Sequence, residues 1–275
     1  MLKQLIKRRL KSTFPDIFAS YRYYRNRKQH QSMQPKKSTF GFNLMGMNAM
    51  QDGTFEPEET KFITDSLENV DVFVDIGANI GYYSCISRHK GIKTIAIEPL
   101  TENLNILYKN LKINGWDDVE VFPVGLAEKP GTADLYGEST GASLLSGWAG
   151  SSESLKRTIS LTTLDIILGK RFSEKRLLIK IDVEGAEYKV LTGALATLQS
   201  NPKPIWIIEI CLTENQPQDL NPDFMNIFKL FWKNGYQAIS FGEDNRVVTP
   251  EDVHRWVDNR ARDFGYVNYL FKEGK

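Results

Sequence analysis

Asp75 and Glu98 are two carboxylates whose neighbours set them apart from the other acidic residues. Val72, Phe73, Val74 and Ile76 have the β-branched and aromatic character of a buried parallel strand. Asp75 stands at the carboxyl end of that strand, where open α/β sheets bind their ligands. The strand runs into Gly77-Ala78-Asn79-Ile80-Gly81, a turn whose glycines permit backbone conformations and close approaches that a Cβ would forbid. The dinucleotide fingerprint G-x-G-x-x-G, counted from Gly77, needs glycine where this chain has Asn79 and Tyr82, so an amide stands where a pyrophosphate would meet bare backbone. A second apolar stretch, Thr94 to Ile97, ends in Glu98-Pro99. Glu98 falls 23 residues after Asp75, a spacing at which a strand-end carboxylate accepts hydrogen bonds from a ribose diol. Two acids without a phosphate cradle suit a nucleoside that carries positive charge.

The elements that must position these acids follow from hydrophobic periodicity. Strands are expected at 72–76, 93–97, 119–124, 177–182 and 205–210, alternating with helices at 80–89, 101–114, 186–199 and 222–234. That alternation predicts an α/β fold with a doubly wound, mostly parallel sheet. Glu56-Pro57-Glu58-Glu59 opens a further helix through Leu67, with Pro57 suited to the first helical position and the carboxylates to the positive end of the dipole. Lys36 to Gln51 reads as loop; its Met45, Met47 and Met50 either soften a substrate mouth or fill gaps in the core. Between 125 and 165 two strands, 131–136 and 158–163, flank a Gly/Ser-rich stretch that is too long for an idle connector. Leu144, Leu145 and Trp148 also make it too apolar for a linker, so 137–156 is read as a flap, with a surface loop as the alternative.

Composition sets outer bounds. A chain of 275 residues with 41% hydrophobic and 25% charged content can bury one large core and carry an appendage. Cys85 and Cys211, each in an apolar stretch, form neither a disulfide framework nor a C-x-x-C metal site. No apolar run approaches the roughly 20 residues of a membrane span, and no apolar h-region opens the chain, so a cytoplasmic protein is expected. The net charge of +1 conceals an asymmetry: residues 1–40 carry eleven Lys or Arg against Asp16 alone, leaving 24 basic and 33 acidic residues beyond. Leu2, Leu5, Ile6 and Leu10 lie at helical spacing among these basic residues. Two domains are therefore expected, a basic amphipathic arm at 1–40 and a main domain at 41–275. The arm suits an anionic membrane surface, such as the inner membrane face, or an acidic partner; the alternative is a solvated helix packed on the domain. No nucleic-acid motif accompanies it.

Four motifs at expected strand ends carry a family resemblance. V-D-I-G-A-N-I-G-Y-Y-S at 74–84, I-E-P at 97–99, T-L-D at 163–165 and I-K-I-D-V-E-G-A-E at 179–187 resemble the FkbM-type family of S-adenosylmethionine-dependent methyltransferases, over roughly residues 50 to 241. The resemblance implies a class I methyltransferase, Rossmann-like fold, with Tyr236 to Phe241 and Tyr266 to Phe271 as its antiparallel edge. It implies S-adenosylmethionine as cofactor, held by Asp75, Gly77, Asn79, Gly81 and Glu98, and a carbohydrate acceptor methylated on a hydroxyl. In the family the F-E-P-E turn abuts the methyl donor, which adds Glu56. The flap would cover the donor, with Ser143 near its head and Trp148 as a stacking surface for a sugar.

Methyl transfer to a hydroxyl needs in-line placement and a proton acceptor. The strand expected at 177–182 ends in Asp182-Val183-Glu184, and alternation puts Asp182 and Glu184 on one face if the extended geometry persists. Either is a candidate acceptor, with Lys180 as a cation that fixes their ionised state. Glu209, among Ile207, Ile208 and Ile210, needs a partner if buried and joins them as a candidate. The plainer readings are that Glu184 and Glu187 complement a helix N-terminus and that Thr162 with Asp165 forms a capping box. A hard cation is conceivable among three acids, but no ligand spacing demands one, and no metal is expected. His30, His89 and His254 lie away from the expected strand tips. Two rival classes stand beside this reading, a NAD-dependent sugar oxidoreductase and a catalytically inactive scaffold of the same fold.

Overall fold

A computed structural model describes residues 33–242 and 245–274. The expected basic arm falls mostly on residues 1–32 and so lies outside the described residues. Around residue 40 a small hairpin forms, in which β1 (Lys36–Lys37) pairs antiparallel with β2 (Asn43–Leu44). A short helix follows, α1 (Asn48–Gln51), so the stretch expected as loop is largely ordered. Two amides of a later helix fasten it. Asn110 Oδ1 accepts the Met45 N–H at 2.7 Å and its Nδ2 donates to Met45 O at 3.0 Å, while Asn114 exchanges the same pair of bonds with Asn43 at 2.9 and 2.7 Å.

The chain then alternates as expected: α2 (Pro57–Ser66), β3 (Val72–Ile76), α3 (Tyr82–His89), β4 (Lys93–Ile97), α4 (Thr101–Ile113) and β5 (Glu120–Phe122). Next come β6 (Gly125–Leu126), β7 (Gly131–Leu135), β8 (Arg157–Thr162), α5 (Leu164–Leu168) and β9 (Leu177–Ile181). After them lie α6 (Glu187–Thr192), α7 (Leu195–Leu198), β10 (Ile205–Glu209) and α8 (Phe224–Lys233). The chain closes with β11 (Tyr236–Ser240), β12 (Val247–Val248), α9 (Pro250–Asn259) and β13 (Asn268–Glu273).

The main sheet has eight strands in the order β12-β11-β13-β10-β9-β3-β4-β5, and a second sheet has three in the order β6-β8-β7. Strands β5, β4, β3, β9 and β10 run parallel, and β13 enters antiparallel between β10 and β11. This is the class I arrangement. From β3 the chain steps outward to β4 and β5, then returns to lay β9 on the other side of β3. The crevice beyond the carboxyl ends of β3 and β9 is thus a topological switch point, where such sheets bind ligands.

Both faces of the sheet are covered. Val72, Val74, Ile76, Ile179 and Ile181 pack in one cluster with α6, α8 and α9; Phe73, Leu178 and Ile207 pack in the other with α2, α3 and α4. Side chains alternate across a strand, so Asp75 and Lys180, register partners on β3 and β9, project on the α2/α3 side. Among the described residues no helix is long and apolar enough to cross a membrane.

The single helix expected over 186–199 is two, α6 and α7. At Gly193, between them, a Cβ would lie 2.1 Å from Ala127 O, so two chain segments touch there in a way that only glycine allows. Asp165 does cap a helix, but α7 rather than its own: its carboxylate accepts from Ala196 N at 2.8 Å, Thr197 N at 2.9 Å and Thr197 Oγ1 at 2.7 Å. The cap of α5 is Thr163, which accepts the Ile166 N–H.

Candidate active site

A cleft of about 340 Å³ opens at the carboxyl ends of β3, β4, β9 and β10. The turn 77–80 after β3 forms one side and Asp182, Val183 and Glu184 after β9 form another. Gly77, at φ +82, lets these two turns meet, since a Cβ there would sit 1.8 Å from the Asp182 carbonyl oxygen. Three non-glycine residues of the lining hold left-handed backbone: Glu56 (φ 42), Asn79 (φ 51) and Glu184 (φ 56). Such conformations persist only where the surroundings over-determine them, and they cluster at functional sites.

Glu98 organises the first half of the cleft. Its Oε2 accepts the Asn79 N–H at 2.8 Å, and its Oε1 accepts Leu100 N–H at 2.8 Å and Asn103 Nδ2 at 3.3 Å. Burial nonetheless pushes this carboxyl up to about 7. Asp75 Oδ2 accepts the Ser84 hydroxyl at 2.6 Å; burial raises Asp75 too, against the opposing pull of Lys180. Glu56 is the left-handed N-cap of α2, and its Oε2 accepts the Tyr83 hydroxyl at 2.8 Å. Asp75, Gly77, Asn79, Glu98 and Glu56 all line the cleft. Gly81 does not; it is the N-cap of α3 at φ +83, where a Cβ would press on Leu107 at 3.0 Å.

Asp182, Glu184 and Glu209 line the other half, but strand alternation is not what brings them together. β9 ends at Ile181, and the left-handed Glu184 turns the chain out of the extended course that the sequence reading assumed. Asp182 Oδ2 lies 2.9 Å from Lys180 Nζ. Burial and then the Asp182 charge push Glu184 up to about 7, and the same two causes push Glu209 up to about 8. Cys211 Sγ–H, 3.6 Å away, faces Glu209. Glu187 fastens the turn, its Oε1 accepting the Gly185 N–H at 2.7 Å.

The Gly/Ser-rich segment is packed on this turn. Thr140, Ala142 and Leu144 line the cleft, whereas Ser143 and Trp148 stand outside its lining and are fully buried. The Ser143 hydroxyl donates to Glu184 O at 2.5 Å and accepts the Leu145 N–H at 2.9 Å. Trp148 is no stacking platform: its Nε1–H donates to Glu184 Oε2 at 2.6 Å, and a Cβ on Gly185 would meet its ring at 2.5 Å. Both residues therefore hold the turn that carries Glu184, a role sequence could not reveal because 36 residues separate Trp148 from Glu184.

The donor set fits a cationic nucleoside. Six carboxylates, from Glu56, Asp75, Glu98, Asp182, Glu184 and Glu209, face the cleft, and Lys180 is its one basic lining residue among those described. Glu98 is buried at the end of β4, where a ribose diol would find its acceptor. The lining also includes apolar and aromatic side chains, among them Phe55, Tyr82, Met47 and Met50. Met50 is both core and lining.

Solved structures to which the chain is similar include an O-methyltransferase from Bacillus cereus in complex with SAH, at 14% identity and TM-score 0.45, covering 78% of this chain and 80% of that one. A SAM-dependent methyltransferase from Agrobacterium tumefaciens matches at 10% identity and TM-score 0.45, covering 88% and 70%. A ribosomal protein L11 methylase from Lactobacillus delbrueckii subsp. bulgaricus matches at 11% identity and TM-score 0.43, covering 80% and 78%. No curated protein sequence matches the chain. Residues 75–238, more than half of the chain, match the family described as the methyltransferase FkbM domain, and the match runs from Asp75 through Glu98, Asp182, Glu184 and Glu209. With these acids gathered at the switch point of a class I sheet, the chain belongs to the FkbM family of methyltransferases, whose methyl donor is S-adenosylmethionine.

Proposed function

We propose that the protein methylates a hydroxyl of a sugar, with Asp182, Glu184 and Glu209 receiving the hydroxyl proton. The observation that carries this reading is the cluster itself: three carboxylates in one cleft, two of them raised to about 7 and about 8. Like charges at close quarters do not all ionise, and burial with the Asp182 charge keeps Glu184 and Glu209 protonated up to near neutrality. A base poised there is matched to taking a proton at physiological pH. S-adenosylmethionine supplies an electrophilic methyl group on a sulfonium. Gly77, Asn79, Glu98, Asp75 and Glu56 would hold it. The carboxylates would receive the proton that the acceptor hydroxyl loses as its oxygen bonds the methyl, the sulfonium–methyl bond breaking to leave a neutral thioether. A lining that combines Phe55, Tyr82, Met47 and Met50 with carboxylates matches a sugar ring, which presents C–H faces and hydroxyl edges.

The test is calorimetric titration of the full chain with S-adenosylmethionine and, separately, NAD, with Glu98→Ala as control. Donor binding weakened about tenfold or more in the variant supports the reading. A panel of neutral methyl glycosides with radiolabelled donor then seeks turnover, and Glu209→Gln lowers kcat at unchanged donor affinity. Binding of NAD in place of the donor, or of neither ligand by folded protein, would sink it.

A further inference from the structure

Lys180 is a buried cation that the reaction itself does not consume. Its side chain is 5% exposed, and so is unable to remain charged without partners. Its Nζ lies 2.9 Å from Asp182 Oδ2, 3.5 Å from Glu59 Oε1 and 5.1 Å from the centroid of the Tyr83 ring. Glu59, on α2, has a side chain only 4% exposed and does not line the cleft. Its other oxygen accepts Asn268 Nδ2 at 2.7 Å, and Asn268 on β13 is the register partner of Glu209 on β10. A single carboxylate thus reaches both the cation beside Asp182 and the strand position opposite Glu209. Glu59 and Asn268 both lie outside the matched segment 75–238.

We propose that Glu59 is a positioning residue for the proton acceptors, holding the Lys180 ammonium between itself and Asp182 so that the cation is shared. This rests on the methyl-transfer reading above. The groups facing Lys180 are Asp182, Glu59, Tyr83, Glu56, across the β3–β9 ladder Asp75, and from the turn after β9 and the end of β10 Glu184 and Glu209. Asp182 and then Glu59 hold the ammonium well above the ordinary lysine range even though burial opposes its charge. Lys180 is hydrogen-bonded to Asp182 at 2.9 Å, and Glu59 at 3.5 Å offsets part of its positive charge. Removing the Glu59 charge leaves the field of Lys180 uncompensated on that side, and because Lys180 already lowers Glu184 and Glu209, both become weaker bases that ionise more easily.

The experiment compares wild type, Glu59→Gln and Glu59→Asp as full chains labelled with 15N-lysine. The Lys180 Nζ signal is assigned by its loss in Lys180→Met. The wild-type ammonium signal is expected to persist at pH 7 through slow exchange, to shift or vanish in Glu59→Gln, and to return in Glu59→Asp. On a glycoside that the panel identifies, Glu59→Gln lowers kcat about tenfold or more. The acid limb of its pH–rate profile moves down by about half a pH unit or more, and donor affinity stays within about threefold. Glu59→Asp restores the limb. Asn268→Ala, which frees one Glu59 oxygen, moves both readouts in the same direction by less and serves if Glu59→Gln does not fold. An unchanged ammonium signal or an unmoved acid limb in a folded, donor-binding Glu59→Gln protein overturns the proposal. If wild type methylates no glycoside, the sugar reading fails, and the ammonium signal alone still decides whether Glu59 holds Lys180.

Discussion

Replacing Trp148 by Phe removes one hydrogen bond and leaves a ring against Gly185. The bond is the 2.6 Å contact from Trp148 Nε1 to Glu184 Oε2, and it is what holds the Glu184 carboxyl down against burial and the Asp182 charge. A hydrogen bond to a charged group contributes about 1.5–3 kcal/mol, and one to a neutral carboxyl about 1 kcal/mol. The difference, about 0.5–2 kcal/mol, is the part that favours the ionised form. At about 1.4 kcal/mol per pH unit, its loss raises the Glu184 titration by about one unit, from about 7 to about 8. The sign follows from which form the donor prefers: losing an N–H that favours the carboxylate raises the pKa. The assay is carboxyl NMR of 13C-glutamate-labelled protein between pH 5 and 9, with Glu184 assigned by its loss in Glu184→Gln. If Glu184 is the base, the rate at pH 7 drops about fivefold and recovers by about pH 9. An unchanged or lower Glu184 titration in folded Trp148→Phe protein refutes this reasoning.

Two further outcomes follow from the same geometry. Folding stability without ligand falls by several kcal/mol between about pH 5 and 8. Glu59, Glu98 and Glu184, raised to about 7, and Glu187 and Glu209, raised to about 8, keep protons in the folded chain that they lose near 4.5 when unfolded. Asp71, held down to about 2 by Arg176, acts at lower pH and leaves this window alone. Denaturant titrations at three pH values check it, and a flat or rising stability contradicts it. Gly77→Ala abolishes folding or costs more than about 3 kcal/mol in thermal melts, because its Cβ would meet a backbone oxygen at 1.8 Å. Gly91→Ala, at φ +81 with nothing within 4 Å, costs about 1–2 kcal/mol and isolates the close approach from the backbone strain.

The strands at 72–76 and 93–97 stand where the sequence places them, since strands covered on both faces read as unbroken apolar runs. Helix α9 was also legible: Thr249-Pro250-Glu251-Asp252 carries a capping box with proline at the first turn, a local signal that the strand-centred reading passed over. The close contact at Gly193 was not, because the other side of it is Ala127, far away in the chain. Of the site, the cleft-lining acids Asp75, Glu98, Asp182 and Glu209 stand out in sequence as carboxylates at the ends of apolar runs. Ser143 and Trp148 were singled out for ligand contacts, yet both bond Glu184. Glu59 gave no local sign beyond helix-capping charge.

What sequence determined is therefore local: alternating periodicities that specify an α/β sheet, glycines where the backbone must turn, and acids at the ends of apolar runs. Tertiary structure alone decided what each acid faces. Glu184 leaves the strand face through a left-handed residue, and Lys180 finds Glu59 on another helix. Asn268 meets Glu59 across a separation of 209 residues. The physical reason is that a side chain's charge state and reach depend on burial and on partners within a few ångströms, and the sheet's switch-point topology assembles those partners from distant parts of the chain.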